Sequence, residues 1–216
     1  MKKKICVITG SRADYGLLFL TMKRIESEKN LKLINIVTGM HLSPRFGNTY
    51  KTILKDGFKI NYKVKMNLKN DDQISIGKSL GESIDKFAKI FKSTSPDTIL
   101  ILGDRYEIFA SAISAVITNT PISHIHGGEL TDGAIDNVLR HSITKMSHIH
   151  FASTKTYAKR IMQMGEASEN VYNVGAPGVE NIKKLKLYNR REFEKITNFK
   201  LGNKNLLITF HPTTLE

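Results

Sequence analysis

Short apolar runs alternate with longer amphipathic stretches along the chain. KKICVITGS is a brief apolar run closed by Gly10 and Ser11, the form of a short buried strand. ADYGLLFLTMKRIESEK follows with helical spacing of Leu17, Leu18, Leu20, Met22 and Ile25. Asp14 near its start and Lys29 near its end suit the helix dipole. LKLINIVTG predicts a second strand, MHLSPRFGN a loop, and NTYKTILKDG a short helix closed by Gly57. FKINYKVKM alternates, which predicts a strand with one exposed face. DDQISIGKSLGESIDKFAKIFKS predicts a long amphipathic helix with Ile74, Leu80, Ile84, Phe87 and Phe91 turned inward. PDTILILGD reads as a buried strand and YEIFASAISAVITN as an alanine-rich helix able to pack closely in the core or at a dimer seam. PISHIHGG, HIHFAST and NVYNVGAPG are further strands or strand ends, separated by helices in AIDNVLRHSITKMS and KTYAKRIMQMG.

This alternation predicts an α/β protein built on a doubly wound parallel sheet, with about seven strands before residue 176 and helices on both faces. Residues 1–176 form that Rossmann-like domain. Residues 177–203 are polar and helical and read as a connector. NLLITFHPTTLE, within residues 204–216, predicts a new buried strand, which either joins the first sheet or begins a truncated second α/β domain.

Composition changes the picture in three ways. The single cysteine, Cys6, forms no internal disulfide framework and points to the cytoplasm. No apolar run is long enough for a membrane span, and the run after the basic start is too short for a secretory signal. The net charge of +13 raises nucleic-acid binding, but the lysines scatter and no basic stripe interleaves with aromatics. The field suits a small anionic substrate better, and no nucleic-acid or membrane partner is expected.

Ligands of open parallel sheets bind beyond the carboxyl ends of the strands. The segments there carry Gly10, Ser11, Arg12 and Asp14, then Gly103, Asp104, Arg105 and Glu107, then His126, Gly127, Gly128 and Glu129. Arg12 at a helix start suits a phosphate, or pairs with Asp14 at the surface. Asp104 is placed to cap the next helix, to act in catalysis, or both. His124 and His126 share a strand face, as do His148 and His150. Such pairs suit zinc, but a catalytic zinc needs about three converging ligands, and no metal site is expected. Asp136 and Arg140 are spaced to pair on a helix, and Asn137 and His141 likewise. Asp104, Glu129 and Asp136, with Asp132, crowd one end of the sheet, where grouped carboxylates raise one another's pKa and suit proton transfer. No GxSxG elbow exists and Cys6 sits within a strand, which disfavours serine or cysteine nucleophiles.

ITGSRADYGLL, LGDRYE, HIHGGELTDGAIDNVLRHSITKMSHIHFAST, NVGAPGVEN and ITFHPTTLE, in this order, resemble the UDP-N-acetylglucosamine 2-epimerase family, specifically its hydrolysing branch in sialic-acid and related nonulosonate synthesis. The resemblance runs over essentially the whole chain, and the long HIHGGE…HIHF block is its most specific part. It implies a glycosyltransferase-B-type fold of two domains, of which this chain holds the first and the start of the second. It implies a UDP-amino-sugar substrate, no metal or redox cofactor, and a homo-oligomer when the protein is complete. The implied reaction removes the C2 proton, expels UDP to give a glycal, and adds water with inversion at C2. By motif position Asp104, Glu129, Asp136 and His211 are catalytic, and Arg12, Asp14, Arg105, His126 and Arg140 bind substrate. His126 stands where some members carry Glu, so the central acid–base role falls to Glu129 or His126. Members continue well past TFHPTTLE, so the 216-residue chain alone is expected to be inactive. The alternatives are a catalytically incomplete nucleotide-sugar-binding module and a related glycosyltransferase. The choice between UDP-N-acetylglucosamine and a diacetylated 6-deoxy sugar is open.

Overall fold

Seven parallel strands make one sheet in the order β3-β2-β1-β4-β5-β6-β7. They are β1 (Lys3–Thr9), β2 (Leu31–Thr38), β3 (Tyr62–Val64), β4 (Thr98–Leu102), β5 (Ile122–Ile125), β6 (Ile149–Ala152) and β7 (Val171–Asn173). The helices are α1 (Arg12–Ser27), α2 (Tyr50–Lys55), α3 (Gln73–Thr94), α4 (Tyr106–Ile117), α5 (Asp136–Met146), α6 (Lys155–Gln163), α7 (Pro177–Lys184) and α8 (Arg190–Thr197). The computed structural model describes residues 1–67, 72–131, 135–184 and 187–209.

The period of two along β1 splits its side chains between two cores. Cys6 and Ile8 face one layer with Phe87 and Phe91 of α3, Ile108, Ala112 and Ala115 of α4, and Ile143 of α5. Val7 faces the other with Leu18, Met22 and Ile25 of α1 and Ile53 of α2. The alanines of α4 are fully buried in the first core, where their small side chains allow close packing on α3, while Val116 and Ile117 at its end are exposed. The strand order steps outward from β1 in both directions, so the chain reverses between β1 and β4, the usual place for a ligand in such sheets.

Four local expectations change. Ile74 is 82% exposed, because it lies in the first turn of α3, beyond the edge of the core that Phe87 and Phe91 fill. Asp72 caps that turn by accepting the Ile74 and Ser75 N–H groups. Of FKINYKVKM only Tyr62–Val64 pairs, as an edge strand against Ile36–Thr38. The expected loop at MHLSPRFGN is wound into two 3₁₀ turns, Gly39–Leu42 and Pro44–Phe46. Within NLLITFHPTTLE, residues 205–209 form no strand: they pair with no strand among the described residues, and Leu206, Leu207 and Ile208 are exposed. Residues 210–216 lie outside the described residues. The expected connector is helical as α7 and α8, and α7 lies on α1, with Asn181 Nδ2 donating to the Gly16 carbonyl at 2.6 Å. No helix among the described residues is long and apolar enough to cross a membrane.

Candidate active site

The loop from β1 into α1 is a capping box. The Asp14 N–H donates to Ser11 Oγ, and the Ser11 N–H donates back to Asp14 Oδ2 at 3.0 Å, as does the Gly10 N–H at 3.2 Å. Burial holds the Asp14 carboxyl above its ordinary pKa, against the Ser11 hydrogen bond and the nearby Arg105 cation. Asp14 is thus committed to the helix start. No ion pair joins it to Arg12, which is exposed and lines a cavity of about 560 Å³ with Ser11, Met40, Phe46, Thr49 and Arg105. Two arginines and the positive end of the α1 dipole make that cavity suited to an anion. His41 below it is fully buried between Thr9 Oγ1 (3.0 Å) and Thr49 Oγ1 (2.7 Å), and burial pushes its pKa down to about 4, so it is neutral.

Arg105 is aimed by Glu107, which the sequence placed at this strand end without giving it a role. Its Nε donates to Glu107 Oε1 at 2.7 Å, and Glu107 is only 3% exposed. Burial opposes the Arg105 cation, but Glu107, Asp14 and Asp104 outweigh it and raise its pKa. Glu107 fits because Gly10 has no side chain: a Cβ there would stand 2.2 Å from Glu107 Oε1. A Cβ on Gly39 would stand 2.8 Å from the same atom. The two glycines after β1 and β2 were the available signal, though nothing in their spacing names the residue they admit.

Asp104 does not cap α4, whose N-cap is Arg105 and which has no side-chain cap. It pairs instead with Arg140 of α5, so Arg140 reaches across the sheet edge rather than along its helix to Asp136. The pair is nearly buried, with side-chain exposures of 9% for Arg140 and 15% for Asp104. Burial raises the Asp104 pKa; Arg140 opposes the shift and Asp136 adds to it. Arg140 also donates to Thr131 Oγ1 at 3.2 Å, yet its Nε and Nη1 are buried with no acceptor among the described residues. The expected Asn137–His141 pair is absent, because Asn137 binds the Thr131 backbone through both ends of its amide at 2.8 Å.

His126 follows β5 in a left-handed backbone conformation (φ 67°), so the strand period breaks and it does not continue the face of His124. Its Nδ1 meets Glu129 Oε1 at 2.5 Å, and Ser153 Oγ donates to the same oxygen at 2.6 Å. Burial works to raise the Glu129 pKa, but His126, Ser153 and Arg140 together pull it below the ordinary value. The carboxylates therefore do not all rise together as expected: Asp104 goes up and Glu129 goes down, because only Glu129 collects two side-chain donors. His126 Nε2 is buried and has no partner among the described residues. His124 and His150 stand side by side on β5 and β6, but each is engaged elsewhere. His124 Nε2 donates to the Gly103 carbonyl at 2.8 Å, and His150 Nε2 lies 3.2 Å from Glu166. Burial pushes the His124 pKa down to about 3. His148 Nδ1 accepts the Ile122 N–H. Among the described residues no three His, Cys, Asp or Glu side chains converge as metal ligands. Asp132 and His211 lie outside the described residues.

The site therefore joins an arginine-lined anion cavity to two carboxylates of opposite pKa displacement, and Arg140 Nε and Nη1 and His126 Nε2 have no hydrogen-bond partner among the described residues. Buried polar atoms are rarely left unpaired, so these suit the oxygens of a ligand. The family profile described as UDP-N-acetylglucosamine 2-epimerase matches residues 23–216. The chain is 44% identical over its whole length to a GDP/UDP-N,N'-diacetylbacillosamine 2-epimerase (hydrolyzing) of Campylobacter jejuni, covering 56% of that protein. It is 39% identical over its whole length to a UDP-N,N'-diacetylbacillosamine 2-epimerase (hydrolyzing) of Legionella pneumophila, covering 57%. The fold matches that of a UDP-GlcNAc 2-epimerase of Neisseria meningitidis bound to UDP-GlcNAc, with a TM-score of 0.74 at 19% identity, over 90% of this chain and 50% of that one. The chain spans about half the length of the curated relatives it matches.

Proposed function

Because the chain belongs to the UDP-N-acetylglucosamine 2-epimerase family, we propose that it forms one wall of the cleft of a hydrolysing 2-epimerase. The reaction converts a UDP-amino-sugar to UDP and the free sugar inverted at C2. The observation that supports this best is the divergence of two carboxylates at the strand ends, Asp104 upward and Glu129 downward, with Arg140 acting on both. Such divergence assigns different proton-transfer roles to like groups.

Inversion at C2 needs one group to remove the proton from one face and another to deliver a proton to the other. Asp104, with the higher proton affinity, takes the C2 proton. The electrons of the C2–H bond form the C1–C2 double bond as the C1–O bond to UDP breaks. Glu129 holds the Nδ1–H of His126, which leaves His126 Nε2 to serve the opposite face of the sugar. Water adds its oxygen to C1. The unpartnered N–H groups of Arg140 receive substrate oxygens, and Arg12 with the start of α1 receives the diphosphate. Arg105, aimed by Glu107, adds to that field, and Asp14 fixes the loop. His211, by its motif position, is assigned to the leaving oxygen, and the uridine contacts are assigned to a second domain after residue 203. The reading places the protein in the cytoplasm as a homo-oligomer, in keeping with its free, buried Cys6.

The test is incubation of the full-length protein carrying this chain with UDP-amino-sugars, followed by NMR of the phosphorus and anomeric signals. Release of UDP and a free 2-epimer is expected. Binding without UDP release would identify a nucleotide-sugar-binding module instead, and UDP release only with an acceptor would identify a glycosyltransferase.

A further inference from the structure

We propose that Ser153 is a positioning residue of the 2-epimerase site, acting through Glu129 to set the hydrogen-bonded form of the His126–Glu129 pair that delivers a proton to C2. The proposal rests on the functional reading above. Ser153 directly follows the last residue of β6, beside the end of β5. The two strands run in register there, with Ile125 against Phe151, and the His126 N–H donates to the Phe151 carbonyl at 3.2 Å. A serine between a strand and a helix commonly caps the helix. Here Thr154 caps α6 instead, accepting the Tyr157 N–H at 3.2 Å. The Ser153 hydroxyl reaches back across the sheet edge and donates to Glu129 Oε1 at 2.6 Å.

The backbone that carries Glu129 is held from two other sides. A Cβ on Gly127 would stand 3.0 Å from Thr144 Oγ1 of α5, and a Cβ on Gly128 would stand 2.5 Å from the Tyr157 carbonyl of α6. Arg160 of α6 donates to the Gly128 carbonyl. What remains to be fixed is the carboxylate itself. His126 Nδ1 lies 2.5 Å from Glu129 Oε1, so one oxygen takes both side-chain donors. Two donors on one oxygen restrict the rotation of the carboxylate and favour its charged form. The charged and titratable groups facing Glu129 are His126 on its own loop and Arg140 from α5. From α6 comes Arg160, at the neighbouring Gly128 carbonyl, and from the end of β6 the uncharged Ser153. Burial works to raise the Glu129 pKa, and the hydrogen bonds from His126 and Ser153 lead in pulling it below the ordinary value. Ser153 thus keeps Glu129 an acceptor and the Nδ1 proton on His126. Without the hydroxyl, Glu129 holds a proton more tightly and turns more freely against His126. Ser153 does not line the arginine cavity, so anion binding does not depend on it.

The experiment uses Ser153→Ala and Ser153→Thr in the full-length protein, with folding checked by circular dichroism. In Ser153→Ala, kcat for UDP release from a UDP-amino-sugar is expected to fall about tenfold or more, with KM little changed. Ser153→Thr keeps the hydroxyl and is expected to recover most of that loss. Carbon NMR of protein labelled at its glutamate carboxyls follows Glu129 itself, whose signal is identified by its loss in Glu129→Gln. The Glu129 titration is expected to move to higher pH in Ser153→Ala and to stay near wild type in Ser153→Thr, a difference that a merely structural role would not produce. An unchanged kcat in Ser153→Ala, a Glu129 titration that this variant leaves in place, or a Ser153→Thr protein that titrates as Ser153→Ala does, overturns the proposal. If the wild-type protein releases no UDP, the functional reading fails, and the Glu129 titration still decides whether Ser153 sets the state of the pair.

Discussion

Arg140→Met removes one partner of the buried pair and leaves Asp104 as a charge without compensation. Both side chains are far less than one-third exposed, so water screens the loss only weakly. Breaking a buried pair from one side costs about 3–5 kcal/mol. The pH dependence follows from Asp104. Its folded pKa already lies above the ordinary carboxylate value, through burial and Asp136 and against Arg140 and Arg105. A group raised in this way binds more protons folded than unfolded, so its contribution to stability falls as pH rises from the unfolded to the folded pKa. Removing Arg140 raises the folded pKa further and widens that window. The variant is therefore expected to be closest to wild type at acid pH, below the unfolded pKa of Asp104, and weakest at pH above its folded pKa. Each additional pKa unit contributes about 1.4 kcal/mol to that difference. Urea unfolding of both chains at several pH values reads the deficit directly, and titrations shared by the two chains cancel in the subtraction. Adding Asp104→Asn to the variant is expected to restore at least half of the loss at pH 7.5 and to flatten its pH dependence. A deficit equal at all pH values, or one that Asp104→Asn leaves untouched, refutes the reasoning.

Asp104→Asn in the full-length protein is expected to lower kcat at least about tenfold while substrate binding is largely kept; calorimetry beside UDP-release kinetics separates the two. Gly10→Ala places a methyl 2.2 Å from where Glu107 Oε1 now sits. The carboxylate must move and Arg105 with it, so a destabilisation of about 1–3 kcal/mol and a raised KM are expected in melting and kinetic assays. His124→Phe removes the donor to the Gly103 carbonyl immediately before Asp104. It is expected to destabilise the fold by at most about 1–3 kcal/mol, the consequence of leaving that half-buried carbonyl unpaired, which denaturant titration measures.

The sheet was legible because its strands are continuous apolar runs and its long helices carry a clear stripe. Phe87 and Phe91 landed in the core where the period put them. Ile74 did not, since the stripe does not reveal where the sheet beneath it ends. The carboxyl-edge rule brought Asp104, Arg105, His126 and Glu129 to one side from strand ends alone. Their pairings were not legible. Arg140 had Asp136 available one turn away, and its choice of Asp104 depends on how α5 crosses the end of β4, which no local spacing encodes. His126 was read as part of a strand, and only its left-handed backbone turns it toward Glu129. Glu107 was visible after β4, but its path between Gly10 and Gly39 joins three strand ends distant in sequence.

The most direct test of the proposed chemistry is turnover of the full-length protein in deuterium oxide with a UDP-amino-sugar, followed by mass and NMR analysis of the product. The account requires UDP to be released and the free sugar to carry one deuterium at C2 with inverted configuration, because the proton removed there is replaced by one from solvent. A product that keeps its original hydrogen at C2, or a sugar that emerges still bound to UDP, would contradict it.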